Sequence, residues 1–422
     1  MLRARIVPSA FGVATFHNLR PNERKMPRTM DQPDDDLDEL IRELNATATD
    51  TVQIRVETAA SGPAAMPGDA VRLERLLRLV AAQHGADLLL VAGAPAMVRI
   101  DGRVQPLEDA PLDGVEIEEM VLPALPPHAR RLYQSAQIAD ASFRIQGVGR
   151  FRINLHRERG RAAAAVRMLP QRVPRLATLG LPAQIEQLAA LPRGLVLVGG
   201  PTGSGKSTTL AALVDEINRR EHRHILTIED PIEYEHLHHR SIVEQVEIGV
   251  DAPDFPTALR AALRQAPDVI VVGEMRDPET MRIALAAAET GHLVLSTVHT
   301  TDVGSTISRV ADSFPPERQN TIRQELAMAL VAVLTQTLMP RIGGGLIPAA
   351  ELLMVGYGAR QHIRRNALQH LHQEITITRR NGSFSLEESL SRLVRDGIVE
   401  WADAHARAAH TEEFEQLSPP QP

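Results

Sequence analysis

Four short runs stand out in the second half of the chain: LVLV at Leu195–Val198, ILTI at Ile225–Ile228, VIVV at Val269–Val272 and LVLST at Leu293–Thr297. Each is apolar or nearly so, and each is too short for a core helix. Such runs predict strands buried on both faces, as in a parallel sheet. The stretches between them, STTLAALVDEINRR, PTALRAALRQ and PETMRIALAAAETG, read as helices. In the first, Leu210, Leu213, Val214 and Ile217 share one face. This alternation predicts an α/β fold with helices on both faces of the sheet.

Upstream the pattern differs. Leu73, Leu76, Leu77 and Val80 fall on one helical face, with Gly85 as the expected stop. DLLLV follows as a buried strand. MVRIDGRVQPL predicts a hairpin turning at Asp101-Gly102, and SFRI and RFRINL another around QGVG. Residues 71–169 therefore read as a small α+β domain, and LPQRVPRL, with Pro170 and Pro174, as a linker at 170–174. The α/β domain spans 175–350, a mostly helical region 351–413, and a polar tail 414–422. Residues 1–70 hold the acidic run DQPDDDLDEL and the Gly/Pro-containing ASGPAAMPGD, and read as a poorly ordered acidic tail. A short helix is expected at Leu37–Leu44, and Met26 or Met30 are alternative starts. There is no internal repeat.

Composition narrows the class. With 422 residues the chain exceeds one ordinary domain, and 43% hydrophobic with 23% charged residues suits a soluble globular protein. Aromatic residues make up only 3%, so the cores must be aliphatic. There is no cysteine, which excludes disulfides and thiolate zinc sites. The net charge of −7 has no basic block behind it, so no direct nucleic-acid partner is expected. The longest apolar run, Leu326–Leu334, is too short to span a membrane, and the N-terminal stretch is broken by Pro8 and does not read as a signal peptide.

The first chemistry lies at LVLVGGPTGSGKSTTL, where Gly200, Gly205, Lys206 and Ser207 fill the phosphate-loop pattern between a strand and a helix. Gly203 and Gly205 let the backbone turn so that successive N–H groups, with those of Thr202, Ser204 and Thr208, meet one phosphate at a helix N-terminus. Lys206 would charge-pair the β/γ phosphates, and the Ser207 hydroxyl would reach Mg²⁺. PDVIVVGEMRD supplies Glu274 at a strand end expected beside the phosphate-loop strand, where it can hold the Mg²⁺ shell.

A second acidic strand end, HILTIEDPIEYEH, carries four carboxylates. The strand is expected to neighbour the phosphate-loop strand and so to face the γ-phosphate. Glu229 and Asp230 would support the metal or its waters, Glu233 would be the general base for the attacking water, and Glu235 a surface charge. In GHLVLSTVHTTD, His292 opens a strand and His299 closes it; His299 is the expected γ-phosphate sensor. His236, His238 and His239 read as a solvated loop rather than a metal site.

Together these stretches resemble the secretion-ATPase superfamily, and within it the PilT-like pilus-retraction (twitching motility) ATPases. The resemblance runs from about residue 71 to 410. It rests on GPTGSGKST, the aspartate box TIEDPIEY, the Walker B segment VIVVGEMRD and the histidine box GHLVLSTVHTT, in that order. It implies an N-terminal PAS-like domain, a RecA-like ATPase domain and C-terminal helices, assembled as a homo-hexameric ring with ATP and Mg²⁺ between subunits. By the same resemblance Glu233 is the catalytic glutamate, Glu274 the Walker B glutamate and His299 the histidine-box residue. Arg152 and Arg167 fall where the N-terminal domain supplies arginines to the γ-phosphate, and Arg260 and Arg264 match arginines just before Walker B. Its implied partners are an inner-membrane pilus platform protein, met at the cytoplasmic face, and a paralogous ATPase.

Two departures mark the chain. Leu89 in ADLLLVAG replaces the histidine of the family's SDLHL, and ARQHIRRN (359–366) replaces the retraction motif AIRNLIRE, keeping Ala359, Ile363 and Arg364 but carrying Arg360, Gln361 and His362 in the middle. The second weakens the expectation of retraction. Assembly and type II secretion members usually carry a four-cysteine zinc insert, which this chain lacks; compact conjugation and type IV secretion ATPases remain open. A non-hydrolysing ring subunit is at odds with the complete set of Glu233, Glu274 and His299. A GTPase would need an Asn-Lys-x-Asp motif, which is absent.

Overall fold

The computed structural model describes residues 68–419. The expectations for 1–67 lie outside the described residues. Helix α1 (Gly68–Ala82) buries Leu73, Leu76, Leu77 and Val80. Its end departs from expectation by one residue: His84, not Gly85, takes the left-handed conformation (φ 55°). Gly85 is needed for space, since a Cβ there would lie 2.5 Å from Val98 Cγ2.

Six antiparallel strands follow: β1 (Asp87–Val91), β2 (Pro95–Ile100), β3 (Arg103–Pro111), β4 (Ile138–Ile145), β5 (Gly149–Glu158) and β6 (Arg161–Met168), in the order β3-β2-β1-β6-β5-β4. The β2–β3 hairpin turns at Asp101-Gly102, both with positive φ. Helices α1, α2 (Gly114–Val121) and α3 (Pro127–Ala136) share the core with one face of this sheet. The two-residue period of β5 then decides function: Phe151, Ile153 and Leu155 point into that core, so Arg150 and Arg152 stand on the other face. Residues 169–175 carry no regular element.

The second sheet holds β7 (Gly194–Gly199), β8 (His224–Glu229), β9 (Ile242–Glu247), β10 (Val269–Val272), β11 (Leu293–Val298), β12 (Leu330–Pro340) and β13 (Leu346–Met354), in the order β13-β12-β7-β11-β10-β8-β9. All neighbours are parallel except β12–β13. Helix α4 (Lys206–Arg220) covers one face; α5 (Phe255–Ala262), α6 (Pro278–Glu289), α7 (Val303–Asp312) and α8 (Pro316–Ala329) cover the other. The expected neighbours of β7 need correction: its partners are β11 and β12, so β10 is one strand further out and β8 two. Strand β13 runs through the boundary expected at 350/351, and the apolar run Leu326–Leu334 divides between α8 and β12. No described helix is long and apolar enough to cross a membrane.

The C-terminal helices are α9 (Tyr357–Arg364), α10 (Leu371–Ile377), α11 (Leu386–Arg395), α12 (Trp401–Arg407) and α13 (Thr411–Leu417). The last corrects the expected tail at 414–422: Phe414 is fully buried beside Trp401, whose indole N–H donates to Ser418 O at 2.8 Å. Phe414→Ala should cost about 3–5 kcal/mol, read as a lower urea midpoint at unchanged slope; a wild-type midpoint would show that this corner carries no stability.

Glu351, on β13, is half-buried and accepts from Val303 N–H and Thr335 Oγ1, both at 3.4 Å. Burial pushes its carboxyl up to about 7, although the Val303 bond works the other way. The folded value lies above the unfolded one, so the native state retains a proton that the unfolded chain releases. Its stabilisation is complete below the unfolded value of 4.5 and lost as pH rises through about 7. Glu351→Gln should therefore flatten the stability profile between pH 5 and 8, removing a loss of roughly 2–3 kcal/mol; parallel profiles for the two proteins would contradict this.

Candidate active site

The phosphate loop joins β7 to α4 through three left-handed glycines: Gly200 (φ 152°), Gly203 (φ 78°) and Gly205 (φ 88°). A Cβ on Gly200 would strike Ser204 Oγ and the Gln336 carbonyl, at 2.4 and 2.5 Å. Gln336 on β12 braces the loop by donating Nε2–H to Ser204 O (2.7 Å). Lys206 is buried and donates to Gly200 O (2.8 Å) and Pro201 O (2.9 Å). Burial lowers its pKa, with Glu274 and Glu233 pulling the other way. Thr202, Gly203 and Ser207 are exposed to the cleft, and Thr208 Oγ1 bonds Tyr234 OH at 2.9 Å.

Because the strands are parallel, their C-terminal ends open on one side. From β10 comes Glu274, from β11 His299, and from β8 the 229–236 segment, all lining one cavity of about 610 Å³ with the phosphate loop. Glu274 accepts from Arg276 (2.7 Å) and meets His299 Nε2 (3.2 Å). Burial opposes its charge, but Arg276 and His299 together hold it below the usual carboxylate range. The other ring nitrogen, Nδ1, lies 3.4 Å from both Thr202 Oγ1 and Lys206 Nζ.

Within the aspartate-box segment the carboxylates divide. Glu229 is turned inward, accepting from Thr227 Oγ1 (2.7 Å), Gln245 Nε2 (3.2 Å) and Glu233 N–H (3.3 Å), and burial raises its pKa. It braces the segment. Asp230 precedes a cis peptide to Pro231; burial raises its pKa and Arg152 opposes the rise. Glu233 faces the cavity. Glu235 pairs with Arg144 and Arg150.

The first sheet closes the cavity with Arg152 and Arg167. Arg152 is paired with Asp140 (3.4 Å) and Arg167 with Asp87 (2.8 Å), and Glu233 lies close enough to Arg167 to strengthen its charge.

Three expected residues are elsewhere. His292 precedes β11 while His299 follows it, so the two lie at opposite edges of the sheet, about 20 Å apart along the strand. His292 bonds Ala287 O (2.9 Å) and lines a separate hollow with Arg223 and Asp268. Arg260 pairs at the surface with Glu279 (2.6 Å), and Arg264 is exposed; neither lines the cavity. Conversely, His236 is no solvated loop residue: it lines the cavity, and burial lowers its pKa to about 4.

Arg276, Tyr234 and Gln336 were not anticipated. Arg276 and Tyr234 sit within two residues of Glu274 and Glu233, inside motifs already in view, and Gln336 is the one amide in the apolar strand β12. The left-handed glycines and their unencumbered N–H groups suit a phosphate. For Mg²⁺ the cavity offers the Ser207 hydroxyl and Glu274. Among the described residues the one three-residue group with metal-ligand spacing is His372, Glu387 and Glu413, outside the cavity. A site with few protein ligands suits Mg²⁺, which keeps waters and shares the phosphates of its nucleotide.

Residues 99–410 match the family model for "Type II/IV secretion system protein". The chain is 41% identical over 342 residues to the type IV pilus retraction ATPase PilT of Pseudomonas aeruginosa, covering 81% of this chain and 99% of that one. It is 39% identical over 338 residues to a twitching motility protein of Neisseria gonorrhoeae, covering 80% and 90%. The solved structure of the pilus retraction motor PilT with bound ADP aligns with a TM-score of 0.73 at 41% identity, covering 82% of this chain and 98% of that one. With the phosphate loop, both acidic strand ends and the histidine converging as they do, this chain belongs to the type II/IV secretion system protein family.

Proposed function

We propose that this chain is an Mg²⁺-dependent ATPase that works as a homo-hexameric ring and drives retraction of a type IV pilus. The observation that carries the reading is the meeting, in one cavity, of a phosphate loop, Glu233, the Glu274–His299 pair and two arginines from a second sheet. Similarity to a retraction ATPase over nearly its whole length supports the direction of work.

The loop N–H groups and Lys206 hold the phosphates, and Ser207 with Glu274 would hold Mg²⁺. The ion, when bound, supplies positive charge to the β- and γ-phosphates. Glu233 accepts a proton from the attacking water. His299 senses the γ-phosphate through Nδ1, already beside Lys206 and Thr202. Arg152 and Arg167 offset charge on the transferring group once they exchange their carboxylate partners for it. They belong to a sheet joined by the irregular 169–175 segment, so movement there delivers or withdraws them. The output is mechanical and passes to an inner-membrane platform protein at the cytoplasmic face, with a paralogous ATPase as a second partner.

The altered ARQHIRRN segment forms α9, whose Ala359 and Ile363 remain buried; Arg360 caps the end of α8 at Met328 O (2.8 Å), and His362 meets Glu374 (3.5 Å). The packed face is thus kept, and retraction is expected to be weaker or partner-dependent rather than absent.

Lys206→Ala should weaken both nucleotide binding and turnover, whereas Glu233→Gln should keep ATP bound and lose turnover by about 10²-fold or more; a Glu233→Gln enzyme at the wild-type rate would remove the base assignment. In the cell, deletion of the gene should leave retained or excess surface pili with impaired twitching, restored by the wild-type gene and not by Lys206→Ala. Loss of all surface pili would indicate an assembly motor instead, and unchanged pili with lost protein export a secretion ATPase.

A further inference from the structure

The segment that carries Glu233 is gripped at the preceding residue by a pair the reaction does not otherwise use. Arg150, on β5 of the first sheet, donates Nη1–H to Ile232 O at 2.8 Å and Nη2–H to Glu247 Oε2 at 3.0 Å. Glu247, at the end of β9 in the second sheet, accepts from Ile232 N–H at 3.2 Å with that same oxygen. Its other oxygen accepts from Ser142 Oγ, on β4, at 2.7 Å. Both the N–H and the C=O of Ile232 are therefore held, one from each sheet. The next N–H, that of Glu233, is held by Glu229.

Both partners are deeply set, with side-chain exposures of 11% for Arg150 and 7% for Glu247. A buried ion pair has little net advantage over apolar packing, because desolvation consumes most of its attraction. What this pair supplies is geometry: a planar guanidinium can reach a carboxylate and a carbonyl at once. Arg150 and Arg152 also share one face of β5. A movement that brings Arg152 to the cavity therefore brings Arg150 to Ile232 in the same stroke.

We propose that Arg150 and Glu247 are positioning residues that clamp the Ile232 peptide, so that Glu233 is held in place for its water only while the first sheet is docked. This rests on the reading of Glu233 as the base. The pair thereby ties delivery of the cavity arginines to alignment of the base, and a subunit with its first sheet displaced would bind ATP without hydrolysing it.

The test is a charge exchange in the full-length assembled protein, Arg150→Glu with Glu247→Arg. It restores an ion pair between the sheets but puts an acceptor opposite Ile232 C=O and a donor opposite Ile232 N–H. The expected result is a kcat lowered about tenfold or more with KM for ATP within about threefold, at wild-type thermal midpoint and assembly state, since a small misplacement of a reacting group is costly. Wild-type kcat in the exchange variant would overturn the clamp and leave a simple bridge. Should that variant fail to fold, Arg150→Lys keeps the pair with Glu247 and loses the two-way reach. It should then lose kcat about fivefold or more at unchanged stability, and full activity would equally overturn the proposal. In a Glu233→Gln background, adding Arg150→Lys should cost less than about twofold further; a full multiplicative loss would mean that Arg150 acts on the phosphates instead. If Glu233→Gln alone turns over normally, it is the base assignment that fails, whatever Arg150 does.

Discussion

Lys206 is a buried cation, and the surroundings it requires organise the molecule. Its ammonium is fixed by two carbonyls of its own loop, which can turn toward it only because Gly200, Gly203 and Gly205 adopt left-handed backbone. Those carbonyls leave the charge itself unbalanced, and burial works against it. Glu274 and Glu233 supply the opposing field from strand ends that a parallel sheet opens on the same side. The loop therefore sits on the interior strand β7, braced by Gln336 from one neighbour and approached by His299 from the other.

The first sheet contributes by a simpler rule. Its strands alternate, one face packing α1–α3 and the other facing the cavity. Arg150 and Arg152 stand two residues apart on β5, and Arg167 on β6 is the register partner of Arg152, so all three share that second face. Two of these cations, Arg152 and Arg167, are balanced within the sheet by Asp140 and Asp87, contacts that a phosphate oxygen can replace in kind.

Much of this was legible in the sequence, for identifiable reasons. Continuous apolar runs gave the four central strands, and strand–loop–helix context made the phosphate loop unambiguous. Strand order was not legible, because β8, β10 and β7 look alike locally and their placement is set by crossovers. β9 reads as polar alternation, since it is an edge strand; β12 begins without a break after α8, and the alanines of β6 favour a helix locally although the segment is a strand. His292 could have been set aside in advance: a residue that opens a parallel strand lies at the far edge from those that close one. Arg260 and Arg264 had no such signal, because nothing in a helix's own sequence says which neighbour its charges meet.

The imidazole of His299 has one further consequence. Donation from Nε2–H to Glu274 leaves Nδ1 as an acceptor, and its two neighbours, an ammonium and a hydroxyl, both have protons to give. One orientation of the ring satisfies every contact. The ring is thus a spacer of fixed polarity between a cation and an anion that would otherwise collapse into a direct pair. By holding them one ring-width apart it keeps Lys206 and Glu274 from pairing with each other, so a nucleotide entering the gap meets a ring to be displaced and not a direct lysine–glutamate bridge.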